Sequence, residues 1–243
     1  MHRFYIEERL GVGVKAEIKG AEVRHIKDVL RLKAGDQVVL FDGSGMEFEG
    51  RINGFSKDGV TVDITEGRAG DTESPVEIIL GQGIPKSDRM DLIVQKSTEL
   101  GVSRIVPLYT ERVIPKSFSS NKIERWRRIA VEACKQSGRV KIPVISVPVS
   151  FDLFVKDAGP SSLKLIPWEG EKETCLKKIL PVTLKNRKVT FIVGPEGGLT
   201  NSEIVIAKEY GFIPVSLGRR ILRTETVPLV LLSIVQHMYG DLT

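Results

Sequence analysis

Two polar, glycine-containing stretches near the carboxyl terminus have residue types suited to chemistry. The first, GPEGGLTNSE at 194–203, follows the apolar run Phe191–Val193. That run predicts the end of a buried strand. Thr200 and Glu203 have the spacing of a capping box, which predicts the start of a helix. A strand, a tight glycine loop and a helix start expose backbone groups at the carboxyl edge of a sheet, where α/β proteins bind ligands. The sequence therefore predicts a ligand-binding loop here, although glycines that merely turn the chain are the alternative.

The glycine loop differs from the common nucleotide-binding motifs. It lacks the Lys-Ser/Thr ending of a phosphate-binding loop, and its glycines are not spaced as G-x-G-x-x-G. A nucleotide-dependent oxidoreductase is therefore disfavoured. The second stretch, LGRRILRTETVP at 217–228, is a polar loop with three arginines. The helix that follows it is apolar on almost all sides, which indicates burial in its own domain or in a subunit interface.

The composition is that of an ordinary globular protein, with 41% hydrophobic and 28% charged residues among 243. The amino-terminal residues lack an apolar signal-peptide core, and no window approaches 18 uncharged apolar residues. We therefore expect a cytoplasmic protein without membrane spans. Two cysteines 41 residues apart and three scattered histidines suggest neither a disulfide framework nor a metal site.

Charge is distributed unevenly along the chain. Residues 1–72 carry 11 Lys and Arg against 13 Asp and Glu, whereas residues 86–141 carry 13 against 6. A basic block favours a polyanionic partner, because each neutralised phosphate releases counterions. A solvated charged face is the usual alternative.

The amino-terminal part reads as a small β-rich domain over residues 1–70. Alternating apolar residues predict strands at Val38–Phe41, Met46–Asn53 and 60–64. A helix is predicted over residues 21–36, with an apolar face of four residues: Val23, Ile26, Val29 and Leu30.

A polar linker is predicted at 67–75, and strands then alternate with helices over a second domain, 74–243. The predicted strands are 76–80, 104–108, 144–147, 163–167, 188–193 and 213–217. The predicted helices are Ser87–Leu100, Asn121–Ser137 with Asn121 as its cap, 151–157, 172–180 and 201–210. Strands that alternate with helices imply a mostly parallel sheet with both faces covered.

These motifs carry a resemblance to a known family. GPEGGLTNSE followed by LGRRILRTET is similar to the paired signature of the SPOUT class of RNA methyltransferases. More narrowly, the chain resembles the ribosomal small subunit methyltransferase E family, the 16S rRNA (uracil-1498 N3)-methyltransferases. Five further segments are similar to that family: HIKDVLRLKAGD, RMDLIVQKSTELGV, PLYTERV, RW and EACKQSGR. The likeness covers nearly the whole chain. It departs at LGRRILR, where the family often has a proline for one arginine, and at Leu199, where phenylalanine is frequent.

The resemblance implies a fold that the spacing of residues alone does not. Residues 74–243 would form an α/β domain with a SPOUT-type parallel sheet and a C-terminal trefoil knot, although an unknotted sheet is the default expectation. Residues 1–70 would form a PUA-like β-barrel that helps to hold RNA. The family acts as a homodimer on 16S rRNA of the 30S ribosomal subunit, with S-adenosylmethionine bound in each knot.

The resemblance also implies three loops that bind S-adenosylmethionine. Their residues are Ile166, Pro167 and Trp168; Gly194, Glu196 and Gly198; and Leu217, Gly218, Ile221, Leu222, Arg223 and Thr224. Arg223 is also the catalytic candidate, because its guanidinium could stabilise negative charge on the uracil carbonyl oxygens. A structural pairing of Arg223 with Glu225 is the alternative, Trp168 could equally be a core aromatic residue, and Glu196 and Glu225 are both candidates for a general base.

RNA contacts are predicted for seven residues: Arg3, Arg24, His25 and Arg31 in the first domain, and Arg112, Arg125 and Arg139 in the basic block. Two other functions stay open at this point. One is methylation of another RNA site, such as a tRNA base or a ribose 2′-oxygen. The other is a ribosome assembly factor that keeps the fold without catalysis.

Overall fold

The chain forms two compact units. A computed structural model describes residues 1–86, 88–113, 119–160 and 163–243. The first unit contains Met1–Glu73 and Cys134–Ile142, and the second contains Ser74–Ala133 and Pro143–Thr243. The sequence assigns residues 134–142 to the second domain, whereas in the structure this segment belongs to the first unit.

The first unit is built on one sheet. Its strands are β1 (His2–Tyr5), β2 (Lys15–Lys19), β3 (Gln37–Phe41), β4 (Met46–Phe55) and β5 (Gly59–Ala69). Within residues 1–73 the sheet order is β1-β3-β4-β5-β2, and only the β1–β3 pair is parallel. Alternate residues such as Ile18, Leu40 and Ile52 are buried in its core. The sequence predicted β3, β4 and β5 but not the two short edge strands.

The helix predicted over 21–36 is wrong in its second half. Helix α1 (Ala21–Arg24) continues only as a π-helical turn, His25–Val29. A π turn holds more residues than an α turn, so it changes which side chains share a face. Val23 and Ile26 consequently reach the core, but Val29 is 68% exposed.

The second unit has the predicted α/β architecture with a parallel sheet. Its strands are β6 (Glu77–Gly83), β7 (Arg104–Tyr109), β8 (Val144–Ile145), β9 (Val149–Ser150), β10 (Leu163–Pro167), β11 (Lys188–Val193) and β12 (Ile213–Val215). The order is β12-β10-β11-β6-β7-β8, with β9 also paired to β7. All of these pairs are parallel. The central strands read as continuous apolar runs because both of their faces are covered, and Leu80 and Phe191 are fully buried.

The helices of the second unit follow the predicted pattern with small changes at most of their ends, but the helix predicted over 172–180 is confined to Leu176–Ile179. They are α2 (Arg89–Glu99), α3 (Ser120–Ser137, whose last four residues belong to the first unit), α4 (Phe151–Asp157), α5 (Leu176–Ile179), α6 (Asn201–Glu209) and α7 (Thr226–Tyr239). Ser87, the predicted start of α2, lies outside the described residues. The predicted cap Asn121 is wrong, because its N–H instead donates to the Ser119 hydroxyl at 3.2 Å and the helix begins one residue earlier. The capping box of Thr200 and Glu203 is confirmed at the start of α6.

Candidate functional site

The predicted loops come together around one cavity in the second unit. The cavity has a volume of about 1060 Å³, and it is lined by the last residues of three neighbouring strands, Pro167, Val193 and Val215. It therefore lies at the carboxyl edge of the sheet, where the sequence predicted a ligand site. Eleven of the twelve residues predicted to bind a cofactor line it: Pro167, Trp168, Gly194, Glu196, Gly198, Leu217, Gly218, Ile221, Leu222, Arg223 and Thr224. Ile166 does not, because it is fully buried in the adjoining hydrophobic core, so its contact with a cofactor stays a prediction.

The glycine loop places bare backbone against this cavity. The Gly198 N–H donates to the Pro195 carbonyl at 2.9 Å, closing a tight turn in which Gly198 has a φ of +70°. That φ lies in the left-handed region, which glycine adopts readily. At Gly194 a Cβ would stand 3.0 Å from Cγ of Leu199, so a side chain there would force the loop to shift.

A buried hydrogen-bond chain joins the second and third loops. The Thr224 hydroxyl donates to the Gly194 carbonyl at 2.7 Å and accepts from Gln82 Nε2 at 3.0 Å. Gln82 is fully buried at the end of β6, and its Oε1 has no hydrogen-bond partner among the described residues. Sequence reasoning missed Gln82, although a glutamine between two glycines at the end of an apolar strand was the available signal.

Glu196 is anchored rather than free. Its two oxygens accept from the Lys86 N–H at 3.0 and 3.2 Å, and Oε1 also accepts from Arg89 at 2.7 Å. Arg89 Nε lies 3.9 Å from Glu225 Oε1, and Glu225 Oε2 is buried with no partner in the described part of the chain. Of the two base candidates, Glu196 lines the cavity but has its oxygens occupied, whereas Glu225 does not line it.

Arg223 presents an uncommitted guanidinium to the cavity. Its backbone carbonyl accepts from the N–H groups of Thr226 and Val227 at the start of α7, which fixes the main chain. Its side chain is exposed, and no ion pair joins it to Glu225 or to any other residue in the described ranges. The structural pairing considered from the sequence is therefore absent, and Arg89 stands beside Glu225 instead.

Aromatic and acidic groups complete the lining. Trp168 both lines the cavity and packs against the adjoining hydrophobic core, and its contact with a cofactor stays a prediction. Glu171 accepts from the N–H groups of Thr174 and Glu173, and these bonds lower the pKa of its carboxyl. Glu171 therefore stays ionised at the cavity edge in neutral solution.

Comparison with known proteins identifies the family. A family model described as an RNA methyltransferase domain matches residues 72–236, and one described as an RNA methyltransferase PUA domain matches residues 18–65. The chain belongs to the RNA methyltransferase family. The first match spans the cavity and its three loops, and the second lies within the first unit.

Several relatives of this RNA methyltransferase carry the same name. Ribosomal RNA small subunit methyltransferase E of Buchnera aphidicola is 35% identical over 98% of this chain and 94% of its own length. The protein of that name from Bacillus subtilis is 31% identical over 98% of this chain and 96% of its own. The crystal structure of ribosomal RNA small subunit methyltransferase E from Neisseria gonorrhoeae bound to S-adenosyl methionine is 38% identical, covers 100% of both chains and has a TM-score of 0.91.

Two of the predicted RNA-binding arginines are instead used inside the first unit of the methyltransferase. Arg3 donates to Glu47 at 2.7 Å and to the Gly138 carbonyl at 3.0 Å. Arg139 is only 5% exposed and pairs with Glu73 at 2.8 Å. The guanidinium groups of Arg3 and Arg139 thus hold the segment Cys134–Ile142 against the sheet, and RNA binding by these two residues stays a prediction.

The other five predicted RNA contacts are nearer to the surface. Arg24 and Arg31 are exposed without an ion-pair partner among the described residues, and His25 lies 3.5 Å from Glu22. Arg125 pairs with Asp91 at 2.8 Å on the face of α2 and α3. Arg112 donates to the Gly197 carbonyl, so it supports the glycine loop. RNA binding by these five residues stays a prediction.

The described ranges of the methyltransferase contain neither a candidate membrane span nor a candidate metal site. None of their helices combines the length and apolar character that a bilayer crossing requires. Nor do the described residues contain a group of three or more His, Cys, Asp or Glu side chains placed to hold a metal ion.

Proposed function

We propose that this protein is an S-adenosylmethionine-dependent methyltransferase that methylates N3 of uracil 1498 in 16S rRNA of the small ribosomal subunit. The observation that carries the proposal is the convergence of three separate loops, through Pro167, Gly194 and Gly218, on one cavity at the carboxyl edge of the sheet. The names of the relatives and the cofactor bound to the Neisseria gonorrhoeae protein support the same reading.

The residues around the cavity fit this cofactor. Gly218 has a φ of +118°, and a Cβ at this position would meet nothing within 4 Å, so its backbone is open to a ligand. Trp168, Leu217 and Leu222 supply apolar surface for a flat ring, and backbone amides and carbonyls of the three loops supply hydrogen-bonding edges. S-adenosylmethionine supplies a methyl group that is already activated on a sulfonium.

The protein then has to align the target nitrogen and manage charge. Uracil N3 carries a proton, and its loss places negative charge on the neighbouring carbonyl oxygens. The Arg223 guanidinium presents a planar fork of donors to such oxygens. Glu196 holds Arg89 and the Lys86 N–H, so its role is to position the glycine loop.

A trefoil knot and a homodimer are part of the proposal. After β12 at the edge of the sheet, the chain crosses back so that Thr224 contacts Gly194 and Gln82 near the sheet centre, and α7 then packs on α2 and β11. This return path supports the knot. On α7, three apolar residues are only partly buried: Leu229, Val230 and Ile234. A second copy of the chain packed against them would complete their burial. The dimer would act in the cytoplasm, where 30S subunits are assembled.

Methylation of 30S subunits followed by mapping of the modified base tests the function. With labelled S-adenosylmethionine, we expect one methyl group on N3 of uracil 1498. A methyl group on tRNA or on a ribose 2′-oxygen would establish the alternative target instead. Binding of the cofactor by calorimetry without transfer to any RNA would favour an assembly factor. Light scattering tests the dimer, for which we expect twice the chain mass of 26.9 kDa.

A further inference from the structure

The mouth of the cavity carries basic side chains that were not among the predicted cofactor-binding residues. Lys172, Arg219 and Arg220 line the cavity and are exposed to solvent. In the described part of the chain none of the three has an ion pair or a side-chain hydrogen bond. They are therefore free to bind a ligand, and neither packing nor charge pairing within the described protein accounts for them.

Of the three acidic side chains that line the same cavity, Glu169 is exposed and the other two are held by groups of the protein. Glu196 is held by Arg89 and the Lys86 N–H, and Glu171 is held by two backbone N–H groups of its own turn. Among the described residues, the lining contains five basic and three acidic side chains. The cationic groups thus outnumber the carboxylates at the mouth, and the field there favours an anion.

We propose that Arg219, Arg220 and Lys172 form a phosphate-binding edge that holds the RNA backbone on either side of the target nucleotide. The proposal rests on the proposed function and assigns the RNA to a particular part of that site. It differs from the contacts predicted from the sequence, because none of these three residues was among them. Two of the residues that were, Arg3 and Arg139, are held in ion pairs.

The chemistry of the reaction requires that the target base reach the cavity. N3 of uracil lies on the edge used in base pairing, so a methyl group reaches it only when the base is unpaired or turned out of its stack. A volume of about 1060 Å³ lies just above the range typical of small-molecule sites. The cavity therefore has room for a base beside the cofactor, and the phosphates flanking that base then meet the side chains at the mouth.

The double variant Arg219→Gln/Arg220→Gln tests the edge. Binding of unmethylated 30S subunits is measured over a series of salt concentrations, and cofactor binding is measured separately by calorimetry. Each lost phosphate contact lowers the slope of log affinity against log salt by about 0.7 to 0.9. We expect the salt slope of the double variant to be smaller than that of the wild type by about twice this amount. Its affinity for S-adenosylmethionine should be unchanged.

A matched control removes two charges from the opposite edge of the sheet. Arg104 is the first residue of β7 and Lys185 precedes β11, and both are exposed. Arg104→Gln/Lys185→Gln should keep the wild-type salt slope, and an equal loss of slope in this control would mean that only net charge matters and would overturn the proposal.

Three further outcomes are decisive. An unchanged slope in Arg219→Gln/Arg220→Gln, with wild-type protein binding both ligands, would overturn the phosphate edge and leave the proposed function intact. Loss of cofactor affinity in that variant would show that the arginines hold the carboxylate of the cofactor, which also overturns the edge. Wild-type protein that binds neither S-adenosylmethionine nor 30S subunits would refute the proposed function itself.

Discussion

Arginines serve opposite purposes in two regions of the molecule. In the first unit, Arg3 and Arg139 are largely buried and paired with Glu47 and Glu73. In the loop that follows β12, the arginines are exposed and have no ion-pair partner among the described residues: Arg219, Arg220 and Arg223. An arginine without a carboxylate partner in its own chain is the more available for binding, and the sequence shows the charge but not the partner.

The largest effect on the rate of methyl transfer should come from Arg223, the unpaired arginine that is the catalytic candidate. Replacing Arg223 by alanine removes the donors aimed at the developing negative charge, and losing one such donor typically slows turnover by about 10² to 10³. Cofactor binding should be retained. Single-turnover methylation of 30S subunits measures the rate, and Arg223→Lys, which keeps the charge without the planar fork, should recover part of it. Wild-type turnover in the alanine variant would remove Arg223 from the mechanism.

Replacing Arg139, which is paired with Glu73, should affect stability instead of catalysis. Arg139→Ala leaves the Glu73 carboxylate partly buried without its cation, and breaking such a pair costs about 3 kcal/mol. Hydrogen exchange of amides in β3 and β4 reports the free energy of local unfolding without requiring the whole chain to unfold in one step. The exposed Arg128 is the control, for which Arg128→Ala should stay within about 0.5 kcal/mol. Equal losses of local stability in Arg139→Ala and Arg128→Ala would contradict the structural role of the paired arginine.

The loop of unpaired arginines depends on a buried anchor. Thr224→Val keeps the shape of the side chain but deprives the Gly194 carbonyl and Gln82 Nε2 of a partner, a loss worth about 1 to 3 kcal/mol. We expect the affinity for S-adenosylmethionine to fall roughly tenfold, since 1.4 kcal/mol corresponds to that factor. Thr224→Ser retains the hydroxyl and should bind as the wild type does. Calorimetry that shows no difference between the two variants would exclude the anchoring role.

The smallest expected effect is a change in pH dependence. Burial alone would raise the pKa of Glu47, but hydrogen bonds from Arg3 and Arg68 outweigh it and lower that pKa below the ordinary value of 4.5. Glu47 therefore contributes stability above about pH 4.5, and the contribution is lost as the pH falls through its folded-state pKa. In Glu47→Gln the first unit should lose stability at neutral pH and show a shallower decline on acidification. Acid unfolding curves as steep as those of the wild type would argue against this role.

The order of elements could be predicted because its signals are local. Strands β10 and β11 and helix α4 were predicted with the bounds that the structure shows. The capping box of Thr200 and Glu203 was visible as a spacing of three residues. Features that depend on contacts across the chain were missed, as the exposed Val29 illustrates. The spacing of Val29 from Val23 and Ile26 fits one face of an α-helix, but a π turn rotates Val29 away from the core.

By itself, the sequence determined the parallel α/β architecture of the second unit and the glycine loop at its sheet edge, because apolar periodicity and glycine spacing act over a few residues. The other two loops of the cavity were expected from the family resemblance. Only the tertiary structure decided which polar groups are committed to the fold. Arg3 and Glu47 are 44 residues apart, Arg139 and Glu73 are 66 apart, and Gln82 and Thr224 are 142 apart. Such pairings follow from how the whole chain packs, so the residues left unpaired around the cavity could be recognised only after that packing was known.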